Sequence, residues 1–155
     1  MTTTTANPSD MIQVAQLLKE FYPTHNLFNQ TEDKIATYLQ TESINHKLLI
    51  CKNENKEIVA SSFVVKTGES SDQSHSRWKF RHFAFVSEAA AKELLTASED
   101  LVKGQSKTAK IELTISEREK SLSFFESNEY KKEGTLANHY RWNESCYILS
   151  KSFSK

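Results

Sequence analysis

His82 and the junction after it, Phe83-Ala84-Phe85-Val86-Ser87-Glu88, carry the groups best suited to chemistry in this chain. An imidazole with a pKa near neutrality can take a proton from an amine, so His82 is a candidate general base. The competing assignment is a half-buried histidine hydrogen-bonded within a sheet, and a lone histidine favours that one. The residues around it read as a strand, WKFRHFAFV, running into a helix, AAAKELLTASEDLVKG. A helix start offers unpaired backbone N–H groups and the positive end of the helix dipole, which suits an anion. Phosphate-binding turns of this kind need glycines, because the backbone must bend sharply and come close to the ligand. Here the turn is Val86-Ser87-Glu88-Ala89-Ala90-Ala91, and the glycines of the chain, Gly68, Gly104 and Gly134, all lie elsewhere. Glu88 also places a carboxylate where an anion would approach.

Cys51, flanked by Ile50 and Lys52, has nothing local to activate it as a nucleophile. Cys51 and Cys146 lack metal-like spacing and read as buried thiols in a reducing, cytoplasmic compartment. Twenty basic and twenty acidic residues cancel, so no global charge argues for nucleic acid or an anionic membrane. The opening residues MTTTTANPSD have no charged and apolar regions of a secretory signal, and no apolar run is long enough to cross a bilayer. A length of 155 residues fits one domain, taken as 1–155.

These residues need a scaffold, and the apolar periodicity supplies one. Thr2–Thr5 suits a short edge strand. Asn7-Pro8-Ser9-Asp10 is a helix start, followed by Met11, Ile12, Ala15, Leu18 and Phe21 or Tyr22 at helical spacing until Pro23. Thr31 can cap a second helix bearing Ile35, Tyr38 and Leu39. HKLLICK, EIVASSFVVK and the Trp78–Val86 stretch then read as a three-stranded meander. The Ala89–Lys103 helix buries Leu94, Leu95, Ser98, Leu101 and Val102, with Gly104 just past its end. KIELTI is a strand, Glu117–Ser127 a short helix, and two strands around Glu133–Tyr140 and Ser145–Lys151 close the chain through Arg141–Glu144. This order predicts an α/β fold, a mixed seven-stranded sheet with about four helices on both of its faces.

The closing third, KIELTISEREKSLSFFESNEYKKEGTLANHYRWNESCYILSKSF, resembles the GNAT superfamily of acyl-CoA N-acyltransferases. Leu113-Thr114-Ile115 falls on the family's L-x-V, Lys131 to Gly134 on its K-K-E-G, and Tyr147-Ile148-Leu149 on the Y-x-M of its last strand. The resemblance implies the GNAT-like acyl-CoA N-acyltransferase fold and acetyl-CoA as cofactor. It also exposes departures. The family's pyrophosphate loop, (Q/R)-x-x-G-x-(G/A), should lie between Phe85 and Leu94, where this chain is a few residues short and has no glycine. The tyrosine that protonates the departing thiolate in many members falls on Phe125, a common asparagine on Arg118, and the glycine before the aromatic on Glu129.

Two functions follow from the resemblance. In the first, the acetyl-CoA site is degraded and the domain is a binding or regulatory module with a protein partner. In the second, it is a working N-acetyltransferase acting on a primary amine of a small molecule or protein. The cofactor would then lie along Phe83, Phe85 and Val86 and on the helix start at Ser87, Ala89 and Ala90, with His82 or a water as base. Tyr130, Tyr140 or solvent would be the acid, His139 and Tyr140 being candidates to line a pocket near Phe125. For each tyrosine the plainer assignment is packing with a polar tip at the surface. Lys79, Arg81, Lys131, Lys132 and Arg141 would attract the phosphates of coenzyme A if gathered at one end of the sheet. The alternative is a solvated rim balanced by Glu129 and Glu133. A monomer or homodimer is expected, with no nucleic acid, membrane or metal.

Overall fold

Four consecutive β-branched threonines form β1 (Thr2–Thr5), an edge strand, in the computed structural model, which describes residues 1–155. One turn of 3-10 helix at Pro8–Asp10 leads into α1 (Met11–Phe21), which buries Met11, Val14, Ala15, Leu17 and Leu18. The bond that closes this start comes from Asp10, whose Oδ2 accepts the Asn7 backbone N–H at 2.8 Å. Its Oδ1 accepts from Lys52 Nζ at 2.7 Å. Thr31 caps α2 (Glu32–Glu42) by accepting the Lys34 N–H at 3.4 Å, and Ile35, Ala36 and Leu39 are buried.

The next strands are β2 (Lys47–Lys52), β3 (Ile58–Glu69) and β4 (His75–Phe85). Leu48, Ile50, Phe63, Val65 and Ala84 join the apolar faces of α1 and α2 and Phe28 in one cluster. The alternate residues Leu49 and Cys51 are buried too but lie outside that cluster, so β2 is covered on both faces. The chain continues through α3 (Glu88–Lys103), β5 (Thr108–Ser116), α4 (Leu122–Ser127), β6 (Lys131–Ala137) and β7 (Ser145–Ser154). The result is the expected mixed seven-stranded sheet, in the order β1-β2-β3-β4-β5-β7-β6. β4 and β5 are parallel, as a strand–helix–strand crossover requires, with partners running from His75 and Thr108 to Lys79 and Glu112. β7 lies between β5 and β6 and is antiparallel to both. By contact the chain divides into two units, Met1–Val65 with Arg81–Leu101 and Lys66–Phe80 with Val102–Lys155. No helix is long and apolar enough to cross a membrane.

Several boundaries differ from the periodicity, and two of them have a clear local reason. The helix expected from Glu117 begins only at Leu122, because side chains capture the backbone before it. Glu119 Oε2 accepts the Ser116 N–H at 2.8 Å, and Ser116 Oγ accepts the Arg118 N–H at 3.2 Å. The strand expected to reach Tyr140 stops at Ala137, where Asn138 (φ 55°) and Asn143 (φ 61°) adopt left-handed backbone. The loop is closed by Asn138 N–H to Glu144 O at 2.9 Å and Asn143 N–H to Asn138 Oδ1 at 2.7 Å.

Asp10 generates a prediction. Burial alone would raise its pKa, but the bonds from Lys52 and Asn7 and the charge of Lys52 together hold it below the usual carboxylate value. Its stabilisation is therefore present above the unfolded pKa of about 3.9 and is lost as pH falls through the lower folded value. Asp10→Asn should cost about 1.5–3 kcal/mol at pH 7. In urea titrations the gap between variant and parent should narrow below about pH 4; a gap that stays constant down to pH 2 contradicts this.

Candidate functional site

β4 runs unbroken through its histidine, which takes an unusual backbone conformation. His82 has φ 54°, left-handed backbone that a non-glycine side chain rarely adopts in a strand. The expected alternation, which would carry Trp78, Phe80, His82 and Ala84 to one face, breaks here. Neighbouring residues Arg81 and His82 both reach the hydroxyl of Tyr38: Arg81 Nη2 donates to it at 2.9 Å, and His82 Nε2 lies 2.9 Å from it. Arg81 Nη1 also meets Glu42 Oε2 at 3.4 Å, tying β4 to the last turn of α2. Around the imidazole stand the rings of Phe28 (4.9 Å), Tyr38 (5.8 Å), His25 (5.9 Å) and Phe63 (6.3 Å).

That surrounding decides what His82 can do. Burial, then the charge of Arg81, then His25, push its pKa down to about 3. The imidazole is neutral at physiological pH and a much weaker base than the near-neutral value suited to a general base. Burial first, and then Glu42, raise the Tyr38 pKa against the lowering effect of Arg81, so Tyr38 keeps its proton. With the Tyr38 oxygen accepting from Arg81, the arrangement that satisfies both partners has Tyr38 O–H donating to His82 Nε2, the proton of the ring sitting on Nδ1. The Nε2 lone pair is then engaged within the fold. Tyr38 and Glu42 stand about one helical turn apart on α2, but nothing in the sequence pointed them at β4.

The candidate cofactor positions follow along the same unit. The Phe83 carbonyl accepts from the Tyr22 hydroxyl at 2.8 Å, and its side chain is buried. The Phe85 ring packs 5.0 Å from that of Phe21. Val86 N–H donates to Val59 O at 2.9 Å. β4 ends at Phe85 and α3 begins at Glu88, leaving Val86 and Ser87 as the whole connection. Ser87 Oγ accepts the Ala90 N–H at 3.2 Å, and Ser87 O accepts the Ala91 N–H at 2.9 Å. Ala90 and Ala91 are fully buried core residues, whereas Glu88 and Ala89 are exposed.

Tyr130 and Tyr140 belong to the other unit. Tyr130 is buried, its ring 5.3 Å from Phe125 and 6.5 Å from Phe80, with Lys151 Nζ 5.7 Å away. Phe125 is 0% exposed and packs edge-on against Phe124. Tyr140 is exposed in the β6–β7 connection beside His139, and burial of its hydroxyl end, with Cys146 and Glu119 nearby, raises its pKa. Cys51 and Cys146 are buried free thiols whose pKa values burial pushes up.

Three of the five basic residues are engaged in separate contacts. Arg81 is bound to Tyr38, Lys132 lies 3.5 Å over the Tyr147 ring, and Arg141 meets the buried Glu144 at 3.2 Å. Glu133 and Glu129, expected to balance a basic rim, instead pair with Lys110 (2.7 Å) and Lys151 (3.5 Å).

No protein-family model and no curated protein sequence matches the chain. Solved structures do. A probable acetyltransferase from Staphylococcus epidermidis superposes with a TM-score of 0.74 at 16% identity, covering 99% of both chains. The aminoglycoside 6'-N-acetyltransferase from Enterococcus faecium gives 0.71 at 16%, over 98% of this chain and 97% of its own. An aminoglycoside 6'-N-acetyltransferase complexed with coenzyme A gives 0.69 at 13%, over 98% and 97%. The chain therefore has the GNAT acyltransferase fold from end to end, and at these identities the likeness extends to the fold alone.

Two measurements test the site. The ring resonances of His82, assigned by their loss in His82→Gln, should not move between pH 8 and 5. Because the folded pKa lies below the unfolded value, His82 should also make stability fall as pH drops from about 6.5 toward 3. A His82 titration midpoint above pH 6 contradicts the buried network. Phe125→Tyr adds a hydroxyl to a site with no exposure and should destabilise by about 1–3 kcal/mol in chemical denaturation; a neutral effect would mean that polar space exists beside Phe125.

Proposed function

We propose that this chain is an acetyltransferase-fold binding or regulatory module whose acetyl-CoA site has been closed by the protein's own groups, and that it acts through a protein partner. The observation that carries the reading is internal occupancy of backbone groups that a cofactor would use. Tyr22 takes the Phe83 carbonyl, Val59 takes the Val86 N–H, and Ser87 takes the Ala90 N–H. A ligand that replaced these bonds would gain little, since each exchange trades one satisfied polar group for another. The two-residue connection between β4 and α3 supports the same reading, because it leaves no loop to wrap a pyrophosphate. Glu88, exposed at the helix mouth, adds a charge of the wrong sign. A general base at His82 is disfavoured by its occupied, neutral ring.

The end of the β4–β5 ladder at Lys79 and Glu112 favours a second reading, since β4 continues to Phe85 beyond it. There the backbone of Phe83, Phe85 and Val86 would hold the pantetheine arm of acetyl-CoA, with solvent as the acid toward a primary amine.

Thermal denaturation separates the two. Ligand at a hundred times its dissociation constant stabilises the native state by about 2.7 kcal/mol, a midpoint shift of roughly 5 °C or more for a chain of this size. The closed site predicts that millimolar acetyl-CoA shifts the midpoint by no more than 3',5'-ADP, a control that keeps phosphates but lacks the acetyl-pantetheine arm. A saturable shift of about 5 °C with acetyl-CoA alone overturns the reading in favour of the working N-acetyltransferase.

A further inference from the structure

Four lysines surround a cleft of about 420 Å³ formed by the end of α3, the start of β5 and the end of β7. They are Lys103, Lys107, Lys151 and Lys155, and the only acidic side chain lining the cleft is Glu129, itself 83% exposed. In a chain of net charge zero this is a local concentration of positive charge. Glu129 pairs with Lys151 at 3.5 Å, so the lining side chains keep a net excess of positive charge, and a cleft in which one sign predominates raises the local concentration of the opposite ion.

The lysines are not loose. Lys103 Nζ sits 4.7 Å and Lys151 Nζ 5.4 Å from the centre of the Phe153 ring, so one aromatic side chain steadies two ammonium groups. Lys151 also donates to the Asn128 carbonyl at 3.2 Å. Lys107 and Lys155 are exposed and make no ion pair, and the Lys155 N–H donates to the Lys107 carbonyl at 3.0 Å, which keeps their backbones together. Ser152 and Ser154, exposed on the same strand end, add hydroxyl donors.

We propose that this cleft binds a linear triphosphate group. Its volume falls in the range of small-molecule sites, and several ammonium and hydroxyl donors around it suit an anion with many oxygens and several charges. The Phe153 ring already meets two ammonium groups, and charged donors outnumber aromatic side chains around the cleft. Recognition then rests on the phosphates, whether they arrive as inorganic tripolyphosphate or as part of a nucleotide. The site shares no residue with the candidate cofactor positions, and it goes beyond the function proposed above.

Calorimetric titration of the full chain at low salt tests the proposal, with sodium tripolyphosphate, ATP and hexaglutamate as probes. Tripolyphosphate should bind saturably at one site, and ATP within about threefold of it. Lys103→Gln/Lys107→Gln should weaken binding by roughly tenfold or more. Lys107→Gln/Lys155→Gln, which changes two exposed side chains, should do the same with no change in thermal midpoint. Lys34→Gln/Lys47→Gln, away from the cleft, should leave binding intact. Absence of tripolyphosphate binding overturns the proposal, as does equal loss in the remote variant, which would indicate diffuse charge. Roughly tenfold tighter binding of ATP would show that the base is read, and tighter binding of hexaglutamate would show an acidic-peptide site; either overturns the assignment.

Discussion

A non-glycine residue held at φ 54° within a strand costs on the order of 1–3 kcal/mol and persists only where its surroundings over-determine it. At His82 the surroundings are specific. Tyr38 engages the ring, Arg81 engages Tyr38, and Glu42 engages Arg81, so the kink in β4 and the last turns of α2 hold each other in place. The consequences spread along the chain. Arg81 and His82 no longer alternate, the aromatic cluster of Phe28 and Phe63 closes over the imidazole, and burial keeps that imidazole neutral. The ring of His82 is thereby tied to Tyr38 at the point where its strand takes an unusual shape.

The stretch after the kink obeys a related economy. Buried backbone groups must find partners, and from Phe83 to Ala90 they find them within the protein: a tyrosine from the end of α1, a carbonyl of β3, a serine at the helix start. Folds of this kind can leave such groups for a ligand, and here short connections and well-placed side chains leave few. The methyl groups of Ala90 and Ala91 complete the change, filling core space next to the helix start.

Element order and type were legible because the apolar periodicities are strong. The alternation of Ile111, Leu113 and Ile115 and the helical spacing of Leu94, Leu95 and Ser98 each admit one reading, and the structure has those elements. The capping role of Thr31 was legible for the same reason, since it follows from local chemistry. Less was legible where side chains act on the backbone at short range. Glu119 and Ser116 delay a helix, and two left-handed asparagines end β6 early. Least legible were the long-range pairings at the candidate site. Tyr38 lies 44 residues from His82, and Tyr22 61 residues from Phe83. No local pattern announces either contact.

The two outer strands of the sheet differ in what they would show to another strand. β1 presents threonine hydroxyls and methyls, whereas β6 begins with three exposed charged residues, Lys131, Lys132 and Glu133. Adding a strand at β6 would press ammonium groups against an incoming chain, the kind of guard that discourages edge pairing. At β1 there is no such guard. By this criterion an added strand would meet charged side chains at β6 and none at β1, and two copies joined β1 to β1 would display β6 at both outer margins. Such a pair is complete, with no free end from which a filament could grow.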